Sequence, residues 1–147
     1  MIVAVAHNKG GVGKTTTVVQ LAGELKPEII IDLDAHQGIA IINGRRPAEL
    51  RWDVRAGLDK AALIKLLKAA GEHLVLIDCG GFDSELVRIA IASADLIIAP
   101  SNDDITEQIG LVRFNRVLSE ISQATGETIQ AHVLITRTNP NRKNFSA

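Results

Sequence analysis

Lys9-Gly10-Gly11-Val12-Gly13-Lys14-Thr15-Thr16 is the stretch that decides the fold, and it follows an apolar run, Ile2 to Ala6, and precedes a run of helical character, Thr17 to Leu25. Glycine lacks a Cβ, so a glycine-rich turn lets successive backbone N–H groups approach a polyphosphate. The N-terminal end of the following helix adds positive potential at the same place. The order strand, glycine-rich loop and helix therefore predicts a phosphate-binding loop.

Each residue of this loop has an expected role. Lys14 is expected to reach the β- and γ-phosphates as a point charge, and the Thr15 hydroxyl to ligate a Mg²⁺ that the phosphates share. Thr16 is placed to donate to a phosphate oxygen. The predicted nucleotide-binding residues of the loop are thus Gly10, Gly11, Val12, Gly13, Lys14, Thr15 and Thr16.

The loop departs from the general phosphate-loop pattern at one position. That pattern asks for glycine five residues before the Gly13-Lys14 pair, where this chain has Asn8. A second lysine, Lys9, stands five residues before Lys14, and this spacing resembles the deviant Walker A box of the ParA/MinD superfamily of ATPases. The resemblance implies ATP and Mg²⁺ as ligands, and it implies that Lys9 crosses a dimer interface to touch the partner's nucleotide.

Carboxylates follow two of the apolar runs. The second run ends in Asp32-Leu33-Asp34-Ala35-His36-Gln37 and the third in Asp78-Cys79-Gly80-Gly81. Ligands of open α/β sheets bind beyond the carboxyl ends of the strands, so these acids are expected to converge on the glycine-rich loop. Asp78 follows four apolar residues in the Walker B manner and is expected near the metal. Gly80 and Gly81 would let the chain pass close to the γ-phosphate.

The Asp-x-Asp pair also resembles the superfamily, in which the usual string is Asp-x-Asp-Pro-Gln. By that match Asp34 positions or deprotonates the attacking water, and Asp32 supports the switch segment and the metal shell. Gln37 belongs to the same loop, and His36, at the proline position, is expected to face solvent. The resemblance thus implies Lys9, Lys14 and Asp34 as catalytic residues and Thr15, Asp34 and Asp78 as the metal shell.

The alternation of apolar runs with helix-period stretches predicts an α/β fold, with a parallel sheet covered on both faces, in a single P-loop NTPase domain over residues 1–147. The segment Asn43 to Asp59 is expected to be a surface loop with a short helix, and its four arginines form either a solvated face or a patch that contacts a partner or phosphate. The predicted strands are Ile2 to Ala6, Ile29 to Leu33, His73 to Asp78, Leu96 to Pro100 and Ala131 to Thr136, and the predicted helices are Lys14 to Leu25, Lys60 to Ala70, Ser84 to Ser93 and Ile105 to Thr125.

Composition excludes several classes of protein. With 16 Lys+Arg against 17 Asp+Glu, the chain has no overall basic field to hold nucleic acid, so any DNA binding must be local. The single cysteine, Cys79, excludes an internal disulfide and leaves too few thiolates for an iron-sulfur or zinc site. No apolar run is long enough to span a bilayer, and Met1 begins a core strand, so a cytoplasmic protein is expected without a membrane partner.

The last apolar run, Val133-Leu134-Ile135-Thr136-Arg137, is similar to the Leu-Ile-Thr-Arg string of small plasmid partition ATPases of the ParF kind. By this match Thr136 and Arg137 are candidates for the base end of the nucleotide pocket, although Arg137 is equally readable as a solvent-facing strand end. Those ATPases continue beyond the point equivalent to Ala147 with a loop over the base and a basic surface for DNA. The chain is thus either a short natural relative or a truncated one, and non-specific DNA binding stays open.

Two functions remain open from the sequence. The first is a slow, partner-stimulated ATPase that dimerises with ATP and acts in plasmid or chromosome partition with a centromere-binding adaptor protein. The second is a nucleotide-gated binding module for conjugation or cell-pole placement, in which ATP binding matters more than hydrolysis. The presence of Lys9, Lys14, Asp34 and Asp78 favours the first, whereas the absence of the family's C-terminal region favours the second.

Overall fold

The computed structural model describes residues 1–81, 83–138 and 141, and its centre is a six-stranded parallel sheet. The strand order is β3-β2-β4-β1-β5-β6, so β1, which carries the glycine-rich loop, lies between β4 and β5. The predicted α/β fold with a parallel sheet is confirmed. The strands are β1 (Ile2–Val5), β2 (Ile29–Asp32), β3 (Val54–Ala56), β4 (Val75–Asp78), β5 (Leu96–Ser101) and β6 (His132–Ile135).

Side-chain alternation along the strands divides the core into two layers, one on each face of the sheet. In β1, Val3 and Val5 join the smaller layer, whereas Ala4 joins the larger one. In β2 the neighbours Ile30 and Ile31 divide in the same way. This is the period of two that a pleated strand imposes, and near-continuous apolar runs are typical of parallel strands buried on both faces.

Five α-helices of the described ranges cover the two faces. Three of them begin at a side chain that accepts a hydrogen bond from a backbone N–H of the first turn: Asp59 from Ala62 at 2.7 Å, Ser84 from Val87 at 3.2 Å, and Asp104 from Thr106 at 2.8 Å. Such caps satisfy N–H groups that have no partner within the helix. The helices are α1 (Lys14–Leu25), α2 (Gly38–Gly44), α3 (Lys60–Lys68), α4 (Glu85–Ser93) and α5 (Ile105–Thr125).

The segment from 38 to 59 differs from its prediction. The expectation of a surface loop with one short helix over Asn43 to Asp59 is wrong in part, because β3 pairs in parallel with β2 at the sheet edge. Helix α2 was not expected either, and a 3-10 turn, Ala48–Leu50, joins it to β3. Helix α2 and strand β3 are too short to show a hydrophobic period. Strand β3 is stabilised by its pairing with β2 more than by its own composition.

The arginines of this segment mostly serve local structure. Arg46 lies over the Trp52 ring at 3.9 Å from its centroid, and Arg51 donates to the carbonyl oxygens of Gly44 and Arg46. Arg55 pairs with Asp53 at 2.6 Å. These contacts favour the interpretation as a structural and solvated face over a phosphate-contacting patch.

Apart from Asn141, residues 139–147, a polar stretch that includes Asn139-Pro140-Asn141, lie outside the described residues. Among the helices that are described, none is both long and apolar enough to cross a membrane.

Candidate functional site

The site forms where strands β2, β4 and β1 end side by side. Asp32 of β2 is level with Asp78 of β4, and Asp78 is level with Val5 of β1. Because parallel strands present their carboxyl ends at one edge, the loop after β1 runs directly beside the two acids. The register of the sheet thus produces the convergence that the sequence predicts.

Two glycines of the loop after β1 have backbone conformations that favour glycine. Gly11 has φ 74° and Gly13 has φ 90°, both in the left-handed region. Gly13 is also the residue from which α1 starts. The turn therefore folds over the N-terminus of α1, where backbone N–H groups and the helix dipole favour an anion.

A further close approach holds the loop against the chain after β4. A Cβ on Gly81 would lie 3.1 Å from the Gly10 Cα, and one on Gly80 would lie 3.2 Å from the Leu33 carbonyl oxygen. Both distances are tighter than ordinary side-chain contacts, so glycine allows three loops to meet. Gly80 and Gly81 thus pass close to protein backbone, and their approach to the γ-phosphate stays a prediction.

These loops surround a cavity of about 450 Å³ at the sheet edge. Lys14 and Thr15 form its floor at the start of α1, and Asp34 comes from the loop after β2. His36, which was expected to face solvent, is exposed and also borders the cavity. Its lining residues are Gly10, Gly11, Gly13, Lys14, Thr15, Thr16, Asp34, His36, Gly81 and Arg137.

Lys14 is a buried cation where the glycine-rich loop joins α1. Its side chain is 5% exposed and its Nζ donates to the Lys9 carbonyl oxygen at 2.8 Å. Burial lowers the pKa of Lys14, and the nearby carboxylates of Asp78 and Asp34 oppose that effect. The carboxylates of Asp78 and Asp34 therefore stabilise the charged form of Lys14 beside the cavity, and a bound phosphate would add to this effect.

Thr15 and Asp78 are already joined. The Thr15 hydroxyl donates to Asp78 Oδ2 at 2.8 Å, while the other carboxylate oxygen of Asp78 is buried without a hydrogen-bond partner among the described residues. Asp78 is fully buried, and this burial raises its pKa to about 7, with the charges of Asp32 and Asp34 acting in the same direction. A hydroxyl, a carboxylate and an unpartnered oxygen fit a hard cation such as Mg²⁺, which takes oxygen ligands and keeps several waters.

Asp32 has a structural place beneath the cavity. Its two carboxylate oxygens accept hydrogen bonds from the backbone N–H groups of Asp34 and Ala40, both at 3.1 Å. Burial raises the pKa of Asp32, and these two hydrogen bonds oppose the shift. Asp32 thereby ties the Asp34 loop to the first turn of α2, which is the supporting position that the sequence indicated.

Some predicted residues lie away from the cavity. Val12 is 4% exposed and belongs to the core, so any contribution to a ligand would come from its backbone. Thr136 donates its hydroxyl to the Ser101 carbonyl oxygen at 3.3 Å and does not border the cavity, whereas its neighbour Arg137 does. The predicted base end of the pocket is therefore represented by Arg137 alone.

Lys9 lies on the other side of the loop. Its Nζ donates to Glu107 Oε1 at 2.5 Å and to Thr106 Oγ1 at 3.2 Å, both on the first turn of α5. The sequence did not single out Glu107, because Asp104-Ile105-Thr106-Glu107 reads as an ordinary helix start. His7 was missed as well: it is 2% exposed, and within the described part of the chain neither ring nitrogen has a hydrogen-bond partner.

Sequence comparisons relate this chain to known proteins. A family model described as an AAA domain matches residues 1–49. The chain is 26% identical over 145 residues to Protein ParA of Rhizobium radiobacter and 32% identical over 104 residues to Maintenance of carboxysome distribution protein A of Gloeobacter kilaueensis. The two alignments cover 95% and 68% of this chain, and the chain spans only 65% and 48% of the respective relatives.

Structural comparisons agree on the fold. A plasmid partition protein of Borrelia burgdorferi bound to AMPPNP matches with a TM-score of 0.73 at 18% identity, over 96% of this chain and 77% of the other. A cobyrinic acid a,c-diamide synthase of Mycobacterium smegmatis with bound ADP and magnesium matches with a TM-score of 0.72 at 23% identity, over 93% and 76%. At these identities the two structures show a shared fold. Together with the sequence relatives, they confirm that this chain resembles the ParA/MinD superfamily, as its loop predicts.

Proposed function

We propose that this chain binds Mg-ATP and hydrolyses it slowly, as the dimerising switch of a ParA-type partition or positioning system. The observation that carries the proposal is the hydrogen bond from Thr15, which borders the cavity together with Lys14 and Asp34, to the buried carboxylate of Asp78. The ParA and carboxysome-distribution relatives support the output, and solved structures of this fold hold AMPPNP or ADP with magnesium.

The residues of the cavity divide the work of binding. Backbone N–H groups of the glycine-rich turn and the Lys14 ammonium would hold the β- and γ-phosphates. Thr15 and Asp78 would hold Mg²⁺, which when bound supplies charge neutralisation between the phosphates. Arg137 borders the cavity beyond the loop and would contact the nucleoside end.

Hydrolysis on this site would depend on positioning. Asp34 would accept a hydrogen bond from the attacking water, whose oxygen bonds to the γ-phosphorus as the bond from that phosphorus to the ADP oxygen breaks. The products are ADP and inorganic phosphate. The Lys9 ammonium of a second copy would add positive charge at the γ-phosphate, so each site would be complete only in a dimer.

The proposed output is partition of plasmid or chromosomal DNA, through an adaptor protein, in the cytoplasm. A positioning module with little hydrolysis is the second candidate, and the likeness to a carboxysome distribution protein favours it. The two candidates share the nucleotide site and differ in turnover. Measured release of phosphate with Mg-ATP separates them.

The decisive experiment is the molar mass in solution, by light scattering, with Mg-ATP, with Mg-ADP and without nucleotide. Asp34→Ala should bind ATP, lose hydrolysis and form a dimer only with Mg-ATP, because the water-positioning carboxylate is absent while Lys14, Thr15 and Asp78 are intact. Asp83→Ala, an acid paired with Arg88 on the surface, is the matched control and should behave as the unaltered chain. A monomer under all three conditions would refute the switch.

A further inference from the structure

The second lysine of the loop is held on its own chain. Lys9 Nζ lies 2.5 Å from Glu107 Oε1, and the Lys9 side chain is 39% exposed whereas that of Glu107 is 6% exposed. Thr106 Oγ1 accepts a second hydrogen bond at 3.2 Å. The ammonium therefore rests against α5 and is absent from the set of groups that border the cavity.

The partner of Lys9 is an unusual carboxylate among those of this chain. In the other ion pairs of the described residues, both side chains are about one third exposed or more, whereas Glu107 is almost completely covered. Its second oxygen, Oε2, is buried, and no residue that the structure describes forms a hydrogen bond with it. A buried carboxylate that loses its cation keeps the desolvation cost and loses the compensation, so release of Lys9 carries a real penalty.

The surroundings of Glu107 offer little replacement for Lys9. The start of α5 supplies a favourable dipole, but the neighbouring buried imidazole, His7, has its pKa lowered by burial and is neutral near pH 7. His7 stacks on Phe114 with the ring centroids 5.9 Å apart and packs under Gly110. Within the described part of the chain, Lys9 is thus the cation in direct contact with Glu107, whereas Lys14 interacts with Glu107 only through its charge and donates to the Lys9 carbonyl oxygen.

We propose that Glu107 is the positioning residue of Lys9, which it holds on its own chain until a second nucleotide-bound copy competes for the ammonium. This inference rests on the proposed dimerising function. The pair would oppose dimerisation, because each protomer must give up one buried charge-assisted hydrogen bond before its Lys9 can reach across. The free energy of dimerisation therefore includes the cost of breaking this contact twice, once in each protomer.

Glu107→Gln tests the holding contact without any dimer. Glutamine keeps the size and shape of the side chain but removes the negative charge. In the nucleotide-free protein, acetylation of Lys9 by acetic anhydride, followed by mass spectrometry, should proceed severalfold faster in this variant. Glu120→Gln is the matched control, since it removes an ion-paired carboxylate from the same helix, where Glu120 contacts Arg88. Equal Lys9 labelling in the two variants would overturn the proposal.

Dimer affinity tests the consequence. In an Asp34→Ala background with Mg-ATP, Glu107→Gln should lower the dimer dissociation constant about a hundredfold, as about tenfold per protomer, which is the usual strength of a hydrogen bond to a charged group. Thr106→Ala removes only the weaker contact and should act in the same direction with a smaller effect. It also keeps the test available if the glutamine variant folds poorly.

The outcomes separate the two proposals. A dimer that forms with ATP at the same affinity in all variants would overturn the positioning role and leave the switch standing. If Lys9 labelling rises but neither the unaltered chain nor any variant dimerises, Glu107 holds Lys9 and the dimerising function itself is wrong. Faster labelling together with the tighter dimer would support both.

Discussion

The glycine-rich loop has two sides that differ in how complete they are. On the metal side, defined by Lys14, Thr15 and Asp78, the lysine and the aspartate are buried, and the half-buried Thr15 already donates its hydroxyl to the Asp78 carboxylate at 2.8 Å. On the α5 side, defined by Lys9 and Glu107, the lysine is paired away from the cavity. A single chain thus forms only part of the proposed nucleotide site, since the proposed contribution of Lys9 to catalysis requires its ammonium to leave Glu107.

The difference follows from how each side is assembled. The metal side depends on strand register, which the core of the sheet holds rigidly: Asp32, Asp78 and Val5 are aligned by backbone pairing. The α5 side depends on one flexible side chain with several rotatable bonds. Preorganised groups favour binding, and a movable charged group suits a contact that must exist in one state and not in another.

The largest expected effect separates the two lysines. Lys14→Ala should weaken binding of Mg-ATP by at least about a hundredfold, since it removes a charged donor from the phosphate site. Lys9→Ala should change the single-chain affinity by no more than about threefold, because its side chain does not border the cavity. Titration of a fluorescent ATP analogue at protein concentrations below dimerisation measures both. Equal losses in the two variants would contradict the division into two sides.

A smaller effect is expected from the hydroxyls. Thr15→Val should lower the affinity for ATP about tenfold in the presence of Mg²⁺ and leave the metal-free affinity nearly unchanged, because the hydroxyl is the expected metal ligand. Thr106→Val removes the corresponding hydroxyl from the α5 side and should leave both affinities as they are. Calorimetric titration with and without EDTA gives the four values. A loss in Thr15→Val that is independent of Mg²⁺ would assign that hydroxyl to phosphate.

Close packing of the loops gives the next prediction. Gly81→Ala should lower the free energy of unfolding by about 1–2 kcal/mol, since its Cβ would press on the Gly10 backbone at 3.1 Å. Gly23→Ala, in an exposed turn of α1 with no atom within 4 Å of the added Cβ, should instead raise it by about 0.5–1 kcal/mol. Urea unfolding of both variants checks the opposite signs. Stabilisation by alanine at Gly81 would show that the loop has room to move.

The sequence predicts the strands correctly where a strong local hydrophobic pattern coincides with burial in the core. Five strands, among them β4 with its wholly buried Val-Leu-Ile-Asp, were located within one or two residues at most ends. The missed elements, β3 and α2, have only three and seven residues and no readable period. Their structure comes from tertiary contacts, such as the pairing of Ile30 with Val54, which no local pattern reveals.

The same distinction holds within the site. Lys14, Thr15 and Asp34 were indicated by position relative to strand ends, and the structure brings them to one cavity. The resting place of Lys9 was not foreseeable, because it depends on Glu107, which is 98 residues away in sequence. A lysine motif specifies the residue type but does not specify which partner holds its ammonium.

The smallest expected effect concerns His7, the buried imidazole where β1 leads into the loop. Burial lowers the pKa of His7 below its ordinary 6.5; the charge of Glu107 opposes this shift and those of Lys14 and Lys9 add to it. The unfolded chain therefore binds a proton more readily, so the stability that neutral His7 contributes is present above about pH 6.5 and is lost as the pH falls below it. Asp78, whose pKa is raised to about 7, acts in the opposite direction over part of this range.

His7→Leu isolates the histidine, since both proteins keep Asp78. The free energy of unfolding of the unaltered chain, minus that of the variant, should decrease as the pH is lowered from 7.5 to 5.5, in a series of urea titrations. An opposite slope would mean that His7 binds a proton more readily in the folded chain than in the unfolded one. This requires that Glu107 stabilise the charged imidazole in preference to pairing with Lys9. Because His7 packs against the helix that holds Lys9, that result would make the resting position of Lys9 dependent on pH.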